Sequence, residues 1–193
     1  MGAVAARLLA TLGADSAADL LGRVIGGEAV VTIALHDIAA QPLQWIAQTS
    51  VAGNGDHAPI RFATGVIGND APLVVSPNHR VLLGGAQVEL LFGTNEVLVP
   101  AKALVNGHSI TRDRCAEVSY WHLMFDRHEL VRSNGAWSES YFAFAASRTP
   151  EARAMADELA ALFPRLIRPA PSGELIRPAV TVHEGRLLAA VAV

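Results

Sequence analysis

The sequence predicts an all-β body followed by a C-terminal helix. Three observations carry this: many short β-branched runs, turn residues between them at short intervals, and one late segment of helical periodicity.

Val30–Leu35 is a β-branched run, and Leu43–Ala47 and Pro59–Ala63 follow it across Gly, Asn, Asp and Pro. Val81–Leu83 and Val88–Phe92 flank Gly84-Gly85, which reads as a hairpin turn. Val97–Val99 is another short strand, and Val118–Phe125 is a longer one rich in aromatics. Leu130–Arg132 and Ala136-Trp137 flank Ser133-Asn134-Gly135, a second hairpin, because Asn-Gly suits left-handed turn conformations. The helix begins at Thr149, a good N-cap, with Pro150 at the first helical position. Ala152, Met155, Leu159 and Leu162 then form one apolar face, and Pro164 stops it. Arg165–Pro178 reads as an extended linker, and Val180–Val193 as a last strand or a short helix. The organisation expected is a β domain over 1–147 and a helix with an extended tail over 148–193.

The bulk numbers narrow the function classes. With 51% hydrophobic and 17% charged residues the composition is that of a globular protein rather than a disordered one. A net charge of -3 and the absence of a basic stripe argue against nucleic acid as a partner. No apolar run reaches the roughly 18 residues of a spanning helix, so no membrane partner is expected. The opening Met1–Ala10 is a poor leader sequence, since its charge, Arg7, lies inside the apolar stretch. Cys115 is the only cysteine, which rules out an internal disulfide and a cysteine-based zinc site, and a lone cysteine is expected to be a small buried apolar residue.

Five segments in order resemble the bacterial Hint family, related to Hedgehog autoprocessing domains and inteins. Gly27-Glu28-Ala29-Val30-Val31-Thr32 is similar to the family's Gly-Asp-x-Val-x-Thr pattern, and Pro42-Leu43-Gln44-Trp45-Ile46 to its Pro-Val-x-Trp-Ile pattern. Val74–Leu83 is similar to the Thr-x-x-His block, with Ser76 in the Thr place and His79 in the His place. Val99–Gly107 follows, and Val118–Val131 looks like the late block in which a strand ends near an acidic residue and a histidine. Asn134-Gly135 and Glu139-Ser140-Tyr141 continue the match. The resemblance covers about residues 20 to 144 and implies a Hint horseshoe-like β fold, on which Arg7–Leu12 would be extended.

The resemblance also implies a chemistry. In an acyl shift a nucleophile attacks the carbonyl of the peptide bond before it, against amide resonance. A histidine supplies a hydrogen bond or proton to the departing nitrogen, a nearby Thr or Ser fixes the geometry, and a second group handles the nucleophile's proton. Carried onto this chain, His79 is the amide-facing histidine and Ser76 its partner, while His122, Asp126 and His128 are the late-block groups. Of these, Ser76, His79 and His128 are expected to converge in one cleft. No cofactor is implied, and the partner would be the chain's own flanking polypeptide.

One part of the pattern is missing. Family members carry a Cys, or sometimes a Ser, ahead of the first strand, and counting back from Gly27 puts that position near Ala5; only Thr11 nearby bears a hydroxyl, about six residues too late. A His-Asn terminus of the splicing kind is also missing. The expectation is therefore a degenerate autoprocessing domain acting as a structural or binding module. The alternatives are an active self-cleaving domain within a longer precursor, and a β-protein holding a metal through three histidines (His79, His122 and His128) or through two histidines and Asp126. The residues have plainer readings too. Ser76–His79 suits an ordinary turn. Asp126 and His128 beside Arg127 suit an ion-paired surface corner. His122 shares a strand face with Tyr120 and Met124 and suits a buried, hydrogen-bonded position.

Overall fold

The computed structural model describes residues 33–34, 45–124, 128–140 and 175–189. The helix expected from Thr149, the extended opening Arg7–Leu12, most of the linker, and Asp126 lie outside these residues.

In chain order the strands are β1 (Ile33–Ala34), β2 (Trp45–Val51), β3 (Ile60–Phe62), β4 (Leu73–Val75) and β5 (Arg80–Gly84). A short helix α1 (Ala86–Phe92) precedes β6 (Glu96–Pro100), β7 (Ile110–Arg112), β8 (Val118–Met124), β9 (Leu130–Ser133) and β10 (Ala136–Glu139), and helix α2 (Val182–Ala189) comes last. The described strands form three antiparallel sheets: β1-β9-β10-β5-β6, β4-β3-β7 and the ribbon β2-β8. The all-β class expected from the sequence is the one observed.

The core lies between the first two sheets. Ile60 and Phe62 of β3 and Leu73 and Val75 of β4 point one way, because alternate strand residues share a face. They meet Val81, Val97 and Val99 of β5 and β6, with Ile110 and Ala136 beside them. Val180 and Leu188 join the same cluster, so the late segment is packed onto the β body.

Two turns are set by backbone conformation. Asn134 (φ 47°) and Gly135 (φ 81°) both take positive φ, as a two-residue hairpin between β9 and β10 requires. The Asn134 amide donates to the Pro72 carbonyl at 2.8 Å, and the Asp70 N–H donates to the Asn134 carbonyl, which ties this turn to the loop before β4. The Gly84-Gly85 reading needs correction. β5 does pair with β6, but Val88–Phe92 is not the returning strand; it lies in α1 between them. Ala, Gln, Glu and Leu are good helix formers, Val88 alone is buried, and left-handed Gly93 closes the helix with its N–H on the Glu89 carbonyl.

The last segment resolves the choice between strand and helix. Pro178 and Val180 exchange backbone hydrogen bonds with Leu98 along the free edge of β6, at 2.8 and 3.0 Å. Helix α2 then starts on a reciprocal cap, the Thr181 N–H on Glu184 Oε2 and the Glu184 N–H on Thr181 Oγ1. This cover explains why Val97, Leu98 and Val99 are buried on both faces of an edge strand.

Gly185 is the point of closest approach of α2. A Cβ there would lie 2.7 Å from Val99 Cγ1 and 2.9 Å from the Ala103 methyl. In an exposed helix Gly→Ala gains about 1 kcal/mol. Here Gly185→Ala is expected to lose about 1–2 kcal/mol through overpacking. Urea unfolding reads the sign: a lower midpoint is expected, and a higher one would mean that α2 does not seat against β6.

Candidate functional site

The site is built where β5 begins, β10 ends and β9 is approached. The chain leaves β4, turns at Ser76-Pro77-Asn78-His79 and enters β5 at Arg80. The turn closes with the His79 N–H on the Ser76 carbonyl at 3.1 Å. The carbonyls of Pro77 and His79 accept from the N–H groups of Lys102 and Ala101, which pins the turn to the chain after β6.

Glu139 is the hub. It stands at the end of β10 with its carboxylate nearly all buried. Oε1 accepts from the Arg80 backbone N–H at 3.0 Å, and Oε2 accepts from Arg80 Nη1 at 3.0 Å. Bidentate use of one carboxylate by backbone and side chain of the same residue fixes the start of β5, and so the residue before it, His79. His128, just ahead of β9, brings its Nε2 to 3.2 Å from Glu139 Oε2. That contact is bent rather than a straight hydrogen bond, yet it lies within ion-pair distance of a carboxylate whose charged form it stabilises. On the other side of the ring, Nδ1 accepts the backbone N–H of Ile176 at 3.2 Å. A nitrogen that accepts carries no proton, so the neutral ring has its proton on Nε2, toward Glu139.

The charges follow from these contacts. Burial alone would raise the Glu139 pKa, but His128, Arg80 and His79 together outweigh it and hold the carboxyl below its ordinary value. His79 shifts the same way for a different reason. Burial of its ring lowers its pKa, Arg80 and His128 add to this, and Glu139 opposes without prevailing. The residue as a whole is only half-buried, and no hydrogen bond occupies its ring nitrogens among the described residues. It is therefore neutral near neutral pH.

The structure thus sets His128 against the Glu139 carboxylate and places His79, next to Arg80 in the chain, within electrostatic range of both. Ser76 lies at the far end of the same turn, half-buried. His122 stands on β8 opposite Ala47, in the separate β2-β8 ribbon. His128 is no surface corner: it is 3% exposed. Cys115 also departs from expectation. It is exposed, in the loop between β7 and β8, with its N–H on the Gly53 carbonyl. The loop is held at Asp113 and at the Cys115 backbone, which leaves the thiol outside the core. Among the described residues no group of three His, Cys, Asp or Glu is placed to hold a metal ion. Sequence reasoning missed Arg80 and Glu139 as site residues. Both sit inside matched segments, and an Arg directly after the block histidine, with an acid ending the last strand, was the available signal.

Comparison with known proteins gives the class. The sequence model of the Hint domain matches residues 24–145, well over half of the chain. The chain belongs to the Hint-domain family. No curated protein and no solved structure matches it.

Both shifts make acid destabilising. Between 6.5, the ordinary value for His79, and its lower folded value, the unfolded chain binds the extra proton, so stability falls as pH falls. Glu139 adds stability that is complete above 4.5 and lost as pH drops through its lowered folded value. Thermal unfolding from neutral to acid pH should therefore show two descents. His79→Gln should flatten the first and keep the second. Glu139→Gln should flatten the second and cost about 3 kcal/mol at neutral pH, because it breaks a buried pair. A His79→Gln profile parallel to the parent's would mean that the ring is not desolvated.

Proposed function

We propose that this domain is a Hint-type acyl-shift scaffold in which His79 is the group presented to the reacting amide, and that it does not cleave itself because the attacking thiol is missing. One observation carries the reading: beside the buried Glu139, Arg80 and His128 network, the family's block histidine makes no ring hydrogen bond among the described residues.

The division of labour follows from hydrogen-bond capacity. Glu139 already accepts two hydrogen bonds from Arg80, faces His128 and stays ionised, so it has no proton to give. His128 accepts from Ile176 at Nδ1 and turns its Nε2 to Glu139. Those two residues and Arg80 hold the turn, and His79 does the proton work. A neutral imidazole can donate one N–H hydrogen bond to the reacting amide. Once it has taken up the proton released by the attacking nucleophile, its lowered pKa makes the imidazolium a ready acid that passes that proton to the departing nitrogen. Ser76 keeps the role of fixing the turn that carries it. His122 on β8 and Asp126 beyond it remain the candidates for relaying the nucleophile's proton.

The nucleophile decides activity. A thiol is ionised to a few per cent near neutral pH, whereas a hydroxyl is not. No cysteine precedes Cys115, and Cys115 lies well inside the chain, with no scissile bond placed before it in the family's manner. The purified chain, held for a day near neutral pH with dithiothreitol, is expected to keep its intact mass. Ala5→Cys with a passenger peptide ahead of it should release the passenger in a thiol-dependent way. Adding His79→Ala should slow that release about 100-fold or more, the usual loss on removing a general acid. Loss of mass from the unaltered chain would overturn the degenerate reading. A folded Ala5→Cys fusion that never cleaves would overturn the site.

A further inference from the structure

The segment 175–189 lies beyond the Hint match, which ends at residue 145, yet it reaches the site. It does so as a strap. Arg177 pairs with Glu96 at 2.7 Å, Pro178 and Val180 bind the Leu98 backbone, and Val180 and Leu188 bury themselves in the main core. The ion pair is about two-fifths exposed on both sides and holds weakly. The backbone bonds and the buried side chains are the anchor. Where the strap begins, its Ile176 N–H meets His128 Nδ1.

We propose that this strap is a positioning element of the site, and that the Ile176 N–H fixes His128 as the Nε2–H tautomer so that its proton faces Glu139. A histidine between two partners has only two neutral forms. In the other form Nδ1 would set an N–H against the N–H of Ile176, and Nε2 would turn a lone pair toward an ionised carboxylate. Both contacts would be repulsive. The strap therefore does more than cover the edge of β6. It keeps the Glu139 carboxylate supplied with a donor, and Glu139 in turn holds the Arg80 N–H directly after His79. The effect on catalysis rests on the acyl-shift reading above; the tautomer does not.

Nitrogen-15 spectra of the histidine rings in the full-length protein near neutral pH test this directly. His128 is expected as an Nε2–H ring with Nδ1 unprotonated and hydrogen-bonded. Replacing the Leu175–Ile176 amide by an ester through semisynthesis removes the donor with little change in shape. Nδ1 should then move to the frequency of an unbonded nitrogen, and the Nδ1–H form should gain roughly five-fold, as the loss of one neutral hydrogen bond implies. Ile176→Ala keeps the N–H and should leave the spectrum as it was. Ile176→Pro gives a genetic counterpart, and if it fails to fold, the parent and ester spectra still decide. A parent ring protonated at Nδ1, or an ester protein with an unchanged Nδ1, would overturn the proposal. In the Ala5→Cys fusion the ester should slow passenger release several-fold, whereas Ile176→Ala should not. A changed spectrum with an unchanged rate would overturn the positioning role. A fusion that never cleaves with the amide intact marks a failure of the acyl-shift reading, and the spectra alone then decide the tautomer.

Discussion

A carboxylate withdrawn from water between two strands loses several kcal/mol of hydration, and it stays charged only where donors replace that water. Glu139 meets this condition with the Arg80 backbone, the Arg80 guanidinium and His128. Each donor comes from a different requirement of the fold. The Arg80 N–H is available because β5 has just begun and its first amide has no ladder partner of its own. The guanidinium balances the charge. His128 closes the third side from just ahead of β9. The same three contacts join the beginning of β5, the end of β10 and the approach to β9, which are neighbours in the five-stranded sheet. The site and the sheet are thus held by one interaction, and a change that loosens one loosens the other.

That coupling explains the electrostatic asymmetry between the two histidines of the cluster. His128 lies within reach of donors and acceptors on both sides, so its ring orientation is set by hydrogen bonds. His79 is placed by its backbone, through a turn pinned on both flanks, while its ring makes no hydrogen bond among the described residues. Burial without a partner lowers a histidine's pKa, and the nearby Glu139 charge is already committed to Arg80 and His128. A ring in this setting is neutral near neutral pH and, among the described residues, free of hydrogen bonds, which is what the acyl-shift proposal asks of it.

Legibility in the sequence followed the range of the interaction. Local signals were readable: β-branched alternation at Ile60–Phe62, the Asn134-Gly135 turn with both residues at positive φ, and the ordered family segments. Val88–Phe92 was misleading because a short apolar run fits a strand or a helix equally well, and only its burial separates the two. The cap at Thr181-x-x-Glu184 was a legible helix start that the choice between strand and helix passed over. Glu139 as a hub was not readable. Its partners stand 59 and 11 positions away in the chain, and a single acid at a strand end says nothing of what it will meet. Cys115 followed the average behaviour of its residue type less than the geometry of its loop.

The late segment shows how a domain can enlarge its site without adding a side chain to it. An edge strand exposes unpaired backbone groups, and covering β6 satisfies some of them while hiding Leu98. Once Pro178–Val180 is bound there, the chain just before it has little freedom, and the Ile176 amide falls beside the His128 ring. The backbone N–H is a fitting group for that position. It is always protonated and carries no titrating charge. It therefore selects between the two tautomers of a histidine without disturbing the charge balance that Glu139, Arg80 and His79 have already reached.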